Sequence, residues 1–528
     1  MRVSLYIIMR QKLSEQYVKE LCEKILRPIA NEEHIRAWLV GGCIRDMIHG
    51  EGINDVDVLC TDASRMVSAL DKHFNETNVD HSIHSMENGH ATVISVLSKH
   101  IFGEFPILPA RFDIEVSQLG HLDGLTMDEI LEHDARDRDF VCNAWYIDIN
   151  NNGEPFTPLH TESTIYDPAG KYIYPCNGGK SISDNPLRVF RAMDLMCRGY
   201  KPTTHLYYGI AGYIQNDLHP DIHRDAYLQV IHKIFRRLAS EEYNVNNVIF
   251  AFNYFAELGV WGKMIHPVFP GMMCCIHKNR YHKDSVWQHT MNVIYNMARY
   301  RVLEEHDRQI KPTAYDYWAA LLHDTGKTTT ISHDWDGNTH FYDHQCESVR
   351  ISTEILKDSP LNKVWTEYVL KLIAHHMDTK PFGDEPIKYH QYKHIRKLQW
   401  ELGGMAFEHF LLLNYADCAA SERTENKNTI NVVRAVKDMA YSRGESAWEC
   451  YKIPVDGNDI KEAFPDEPGV NIGKYIKQLY KVTFSRPEDY ETKEQCLHYI
   501  RTLIKTGWVK KAHEEEPSIH DLKKQGKL

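Results

Sequence analysis

The residues with the clearest chemical potential lie close to the start of the chain. Leu39-Val40-Gly41-Gly42-Cys43-Ile44-Arg45-Asp46 is followed by Asp55-Val56-Asp57. In a strand, residues i and i+2 project from one face, so Asp55 and Asp57 can hold one hard divalent cation together. Gly41 and Gly42 let a triphosphate approach the backbone, and the amides of a following helix would face that negative charge. Paired carboxylates beside a phosphate cradle are the parts of metal-dependent nucleotidyl transfer. Taken singly, a DxD is frequent by chance and a Gly-Gly before a helix is often only a turn. Their order and close spacing favour the chemical reading.

Further stretches fit it. Arg111-Phe112-Asp113-Ile114-Glu115 reads as a strand that brings a third carboxylate beside Asp55 and Asp57. Asp113 and Glu115 share a strand face, so periodicity does not choose between them. Arg136-Asp137-Arg138-Asp139-Phe140 precedes another strand, and Asp184-Asn185-Pro186-Leu187-Arg188-Val189-Phe190-Arg191-Ala192 opens a helical region. A second constellation is rich in histidine: His289, then His323-Asp324 with Gly326 and Lys327, then His344, His375 and Asp417. Imidazole with carboxylate suits a transition metal such as Mn, Ni, Fe or Co. A lone helical histidine is more often structural, but here four positions recur in order.

These residues need elements to hold them. A chain of 528 residues is too long for one core and should divide into three or four domains. Leu13, Tyr17, Leu21 and Ile25 recur near the helical period up to about residue 37. Strand signals follow at Ala37–Val40, Val56–Leu59, Ala91–Val96, Arg111–Val116 and Cys142–Ile149. From Asp184, read as a helix N-cap with Pro186 in the first turn, the pattern is helical almost to the end. A composition break at Gly271 to Tyr281 reads as a linker, and the polar Glu514 to Leu528 as disordered. The expected division is an α/β head at 1–155, a helical neck and body at 156–275, a histidine-rich helical domain at 276–430 and a helical tail at 431–528.

Composition sets bounds. The early apolar stretch Val3 to Met9 is too short to span a bilayer and lacks a signal-peptide cleavage site, so no membrane and a cytoplasmic location are expected. Twelve scattered cysteines without a CxxC pair argue against zinc ribbons and disulfides. A net charge of −12 is awkward for a nucleic-acid partner. Lys388 to Trp400 interleaves Lys388, Lys393, Arg396 and Lys397 with aromatics and can contact RNA, although a solvated helix face is the simpler explanation.

Over roughly residues 30 to 270 the chain resembles the bacterial-type (class II) tRNA CCA-adding enzymes and their poly(A) polymerase relatives. Those proteins share GGxxRD…DxD, RRDFxxNA and EDPLRxLRA in this order. The resemblance implies a palm-like nucleotidyltransferase head followed by all-α neck, body and tail. Asp55 and Asp57 would hold Mg²⁺, with Asp113 taken as the third carboxylate. Gly41, Gly42 and Arg45 would hold the triphosphate, and Arg138 and Asp139 the nucleotide, Asp139 at the ribose 2′-hydroxyl. Arg188 and residue 185 would read the base edge, with Arg191 in the same nucleotide-binding set. Residue 185 is Asn where the family usually has Asp, which implies weaker rejection of UTP and GTP because an amide can donate as well as accept. Asp137 replaces the first Arg of RRD, and the loop with Asp167, Pro168 and Gly170 lacks the usual Asp-Leu.

The H…HD…D series resembles the HD-domain phosphohydrolases, implying His289, His323, Asp324 and Asp417 as metal ligands, with His344 and His375 for a second ion. Pro454 to Ile460 and Pro468 to Lys474 look like the tails of HD-bearing CCA enzymes. The implied function is template-independent addition of CCA to tRNA 3′ ends from CTP and ATP, with phosphatase or 2′,3′-cyclic phosphodiesterase activity in the HD domain. Poly(A) synthesis, CC-only or A-only addition, and a chain that is mainly an HD phosphohydrolase are the rival readings. Oligomeric state is not legible.

Overall fold

The computed structural model describes residues 13–85, 91–98, 110–120, 123–151, 153–159, 170–216, 224–276, 284–299, 310–335, 338–379, 389–421, 431–432, 436 and 452–509. The expected hinge residues Asp167 and Pro168 and the tail end from Glu514 lie outside them. The chain forms two compact units, one of residues 1–234 and 246–265, the other of 235–245 and 266–528. Among the described residues, no helix is long and apolar enough to cross a membrane.

The first unit opens with α1 (Glu15–Leu21) and α2 (Arg27–Glu32), joined by a π-helical turn at Cys22–Leu26. Val18, Leu21, Ile25, Leu26 and Ile29 bury one face, as the helical period requires. Strands β1 (Ala37–Val40), β2 (Asp55–Cys60), β3 (His81–Ser85), β4 (Ala91–Ser98), β5 (Ala110–Gln118) and β6 (Tyr146–Asp148) form a sheet in the order β3-β4-β5-β2-β1-β6. Only β2 and β5 run parallel. Their alternation sorts the side chains. Val56, Val58, Ile114 and Val116 join the core that also holds Met66, Leu70 and Phe74 of α4 (Ala63–Glu76). Asp55, Asp57, Asp113 and Glu115 therefore share the opposite face, with Asp55 beside Asp113 and Asp57 beside Glu115.

Two expectations shift here. β6 is shorter than expected: Val141–Asn143 is a 3₁₀ turn, because the Asp139 carboxylate accepts from the Phe140 amide at 2.8 Å and from Asn143 Nδ2 at 2.9 Å. β3 was not foreseen, since this edge strand is mostly exposed and has no apolar alternation. Helices α3 (Gly42–Ile48) and α5 (Met127–Asp137) flank the sheet, α5 with a Thr126–Glu129 capping box.

A helical region follows: α6 (Gly178–Asp184), α7 (Leu187–Cys197), α8 (Thr204–Gln215), α9 (Arg224–Ala239) and α10 (Val245–Glu257), with a short parallel pair β7 (Tyr172–Ile173) and β8 (Lys201–Pro202). Asp184 ends α6 and does not cap α7. Pro186 forces Asn185 into an extended conformation, and Asn185 Oδ1 accepts from the Leu187 amide at 3.1 Å.

The second unit contains α11 (Val268–Cys274), α12 (Val286–Arg299), α13 (Ala314–Leu322), a hairpin of β9 (Ile331–His333) and β10 (Thr339–Phe341), α14 (His344–Leu356), α15 (Lys363–His375), α16 (Tyr389–Leu402) and α17 (Gly404–Ala419). Part of the expected linker, Gly271 to Cys274, is thus helical. A buried carboxylate ties three helices together. Asp316 accepts from Thr313 N at 2.6 Å, Thr313 Oγ1 at 2.8 Å, Tyr368 at 2.7 Å and His409 Nδ1 at 2.7 Å.

The tail packs α18 (Gly457–Ala463), α19 (Gly469–Ser485) and α20 (Lys493–Lys505) around Ile460, Ile472, Leu479 and Ile500. Lys388 lies outside the described residues, and the rest of that stretch, in α16, is not simply a solvated face. Arg396 is buried and donates to the Phe484 carbonyl at 3.0 Å, and Trp400 stacks on Tyr480 at 4.8 Å, so one side of α16 docks on α19.

Candidate functional site

In the first unit the glycine turn closes over the carboxylates. Gly41 has φ +76°, and a Cβ there would lie 2.8 Å from Asp57 Oδ2. That close approach demands glycine twice over, by conformation and by space. Burial, with Glu115 and Asp55 alongside, pushes the Asp57 carboxyl up to about 7, while Arg138 and Arg45 pull the other way. Burial and Asp55 likewise raise Glu115. Crowded, half-buried carboxylates of this kind fit a cation, whose charge would relieve the repulsion. Asp113, by contrast, is buried and accepts from Ser95 Oγ at 2.6 Å. Glu115 is thus the carboxylate that joins Asp55 and Asp57 electrostatically, which the period-2 pattern alone left undecided.

The cationic groups are braced from behind. Arg45 donates to Asp46 Oδ1 at 2.8 Å and to Asn143 Oδ1 at 2.6 Å. Asp46 also accepts from Arg198 at 2.6 Å, Arg198 donates to Glu51, and Glu51 pairs with Lys171 at 2.7 Å. Arg138 is held by Asp134 at 2.9 Å and by the Tyr146 hydroxyl at 2.9 Å. Although burial opposes it, Arg191 with Asn143, the Phe140 amide and Arg188 holds the Asp139 carboxyl below the usual range. Arg188 donates to the Ser181 carbonyl at 3.0 Å and to the Asp137 carbonyl. Asn185 stands exposed one helical turn from it, at the mouth of α7.

The second unit gathers its histidines tightly. His289 comes from α12, His323 and Asp324 from the end of α13, His344 from the start of α14 and Asp417 from α17. His289 Nε2 lies 2.8 Å from Asp417 Oδ1, and His323 Nε2 3.2 Å from Asp324 Oδ2. Asp324 Oδ1 faces His344 Nε2 at 3.4 Å and His376 Nε2 at 3.7 Å. Among the described residues, two donor clusters are compact enough for an ion: His289, His323 and Asp324, and then Asp324, His344 and His376. His376 takes the place expected for His375. The latter turns away and pairs with Asp378 at 2.7 Å.

Three rings share one orientation. His323, His344 and His376 each place Nδ1 on a backbone carbonyl three residues back, at 2.8, 2.8 and 2.7 Å. Neutral rings so held carry the proton on Nδ1 and direct an Nε2 lone pair into the cluster. His344 Nε2 and His376 Nε2 then stand 3.1 Å apart, lone pair against lone pair. Burial, opposed by Asp324 and assisted by His376 and Lys327, pushes His344 down to about 3, which keeps that ring neutral. Among the described residues, buried His323 Nε2 and Asp324 Oδ1 have no hydrogen-bond partner. This donor set fits a metal ion. Gly326 permits it, since a Cβ there would collide with the His344 carbonyl and the Ser348 amide. Lys327, donating to Asp324 Oδ2 at 2.6 Å, completes the wall.

Comparison with known proteins agrees with this division. Residues 37–167 match the poly A polymerase head domain family, and residues 286–401 match the HD domain family. A CCA-adding enzyme of Lactococcus lactis is 25% identical over 142 residues, 26% of this chain and 32% of its own length. The chain therefore spans about a third of the relative it matches. A CCA-adding enzyme solved with CTP aligns with TM-score 0.56 and 12% identity over 93% of this chain and 96% of its own. The Thermotoga maritima CCA-adding enzyme solved with tRNA aligns with TM-score 0.51 and 12% identity over 93% and 97%. At such identities these structures establish the fold. The chain is a protein with a nucleotidyltransferase head and an attached HD domain. Within that class, its two matched regions and its fold make it similar to the CCA-adding enzymes and to the poly A polymerase head domain family.

Proposed function

We propose that this chain adds CCA to tRNA 3′ ends from CTP and ATP without a template. The observation that carries the reading is the pair Asp55 and Asp57, packed under the Gly41 turn and crowded by Glu115. Asp55, Asp57 and Glu115 would hold Mg²⁺, with Asp113 behind them. When bound, that ion would acidify the RNA 3′-hydroxyl and neutralise charge on the α-phosphate and pyrophosphate. Gly41, Gly42 and Arg45 receive the triphosphate, and Arg138 supports the same side. Asp139 accepts from the ribose 2′-hydroxyl. Arg188 and Asn185 present a donor and an acceptor to the amino group and ring nitrogen shared by cytosine and adenine, with Arg191 beside them. In this reading the head ends near 155, neck and body near 275 and the HD domain near 430.

The HD cluster, with His289, His323, Asp324 and Asp417 and then His344 and His376, would hold a transition metal and hydrolyse phosphoesters, including 2′,3′-cyclic ends. That would let one chain repair a damaged 3′ terminus before extending it. The fit of CTP and ATP rests on the resemblance and on solved relatives bound to each.

The deciding experiment supplies tRNA transcripts ending at the discriminator base, at C and at CC, with Mg²⁺ and each nucleotide singly or together. Addition of C, C and A followed by a stop supports the proposal. Long A tails would make the protein a poly(A) polymerase, and no addition would leave phosphohydrolysis as its activity.

A further inference from the structure

Asn414 is buried on α17, one helical turn before Asp417 and on the same side of that helix. Its Nδ2 donates to the His376 carbonyl, and its Oδ1 accepts from the hydroxyl of Thr379, which is buried as well. A carbonyl can only accept, so the amide nitrogen must face His376 and the orientation of Asn414 is fixed. The contact answers a need of the fold. α15 ends at His375, and the last carbonyls of a helix have no partner within it. His376 is therefore held from two sides, its ring Nδ1 on the Ile373 carbonyl at 2.7 Å and its own carbonyl on Asn414. α17 is tied in turn to α12. His289 Nε2 meets Asp417 Oδ1 at 2.8 Å, and two turns further along α12 Asn296 Nδ2 donates to the Ala416 carbonyl at 3.3 Å.

We propose that Asn414, oriented by Thr379, is a positioning residue that presents His376 to a second metal ion from the helix that carries Asp417. The inference rests on the reading of both histidine clusters as metal positions. Asp324 is common to the two clusters, whereas His376 belongs only to the second. Asp417 stands on the side of the first, near His289 and His323. One helical turn and one amide thus connect Asp417 to His376. Without the amide, the end of α15 loses its hold and the direction of His376 Nε2 with it. His289, His323 and Asp417 keep their own contacts. The second position should therefore lose affinity while the first retains it. Asn414 itself ligates neither ion.

Metal binding itself reads this out. The full chain carrying Asp55→Asn and Asp57→Asn, which removes the head carboxylates as competitors, is stripped with a chelator and titrated with Co²⁺ by visible absorption. His344→Gln in the same chain identifies the step that belongs to the second cluster. Two ions should bind to the parent chain. Asn414→Ala and Thr379→Val should each weaken the second step by about tenfold, the lower end of what the partners of a metal ligand contribute, and leave the first step at the parent value. Thr379→Ser keeps the hydroxyl and should restore the second step. Thermal melting checks the fold of each variant. If Asn414→Ala does not fold, the near-isosteric Asn414→Asp decides, since a carboxylate cannot donate to the His376 carbonyl. An unchanged second step in a folded variant, or equal weakening of both steps, overturns the inference. A parent chain that binds one ion only also overturns it, while leaving the first metal position intact. A parent chain that binds no Co²⁺ overturns the metal reading of the HD region as well.

Discussion

At Gly41 there is room for a hydrogen and little else. A methyl group would press on Asp57 Oδ2 at 2.8 Å in a backbone region that L-residues avoid. Gly41→Ala should therefore lower nucleotide addition by about a hundredfold, the usual penalty for displacing a reacting group by an ångström. Primer extension at saturating CTP checks this. Asn185→Asp should sharpen rejection of UTP relative to CTP, because a carboxylate cannot donate to the uracil carbonyl; misincorporation assays with equal strictness in both forms would remove the idea. The glycines and Asp55 and Asp57 were readable because a strand, a turn and a second strand fix them locally. The different surroundings of Asp113 and Glu115 were not, because they depend on Ser95 arriving from β4. His376 was missed beside His375 for a similar reason. Adjacent positions at a helix end differ by a rotation whose inward direction only the packed neighbours define.

Helix α7 is fastened near both ends. Arg191 meets Asp139 near its start, and Arg198 at its C-cap reaches Asp46 and Glu51. Arg198→Ala would remove the cation shared by Asp46 and Glu51, which keep Arg45 and Lys171, a change that costs about 2–3 kcal/mol, the scale of hydrogen bonds to charged groups. Chemical denaturation of the whole chain should register it, with KM for both nucleotides rising as the base-reading turn loosens.

In the second unit, burial works against a charged His409, but Asp316 outweighs it and raises the ring above 6.5. A raised folded value means that the stabilisation is fully present below about pH 6.5 and is lost as pH rises through the folded value. The stability difference between wild type and His409→Gln should accordingly shrink toward alkaline pH; a pH-independent difference would dissociate the pair from stability. At this scale, alternating strands such as β2 and β5 were legible from sequence. The exposed edge strand β3 and the β9–β10 hairpin were not, since neither has a buried face to impose a period.

Among the described residues, chemical groups gather in two collections, one in each compact unit. Replacing His323 and Asp324 with alanine should abolish hydrolysis of 2′,3′-cyclic AMP while leaving nucleotide addition at wild-type rate. Replacing Asp55 and Asp57 with asparagine should do the reverse. Parallel assays on the two purified variants check both, and loss of both activities in either one would contradict the division. The order of head and then HD region was readable because each has its own signature residues. A dispersed histidine series becomes a site only when four helices converge, and the spacing of the residues records their sequence but not their meeting point.

The shared orientation of His323, His344 and His376 has a consequence for the life of the protein in a cell. Each ring's Nδ1 already donates to a backbone carbonyl, so the rings are arranged before any ion arrives. Folding, not binding, does the organising. A donor set of imidazole and carboxylate suits several transition metals, and availability together with the preset geometry would decide which one it holds. An ion held there would then reflect the metals under which the chain was made.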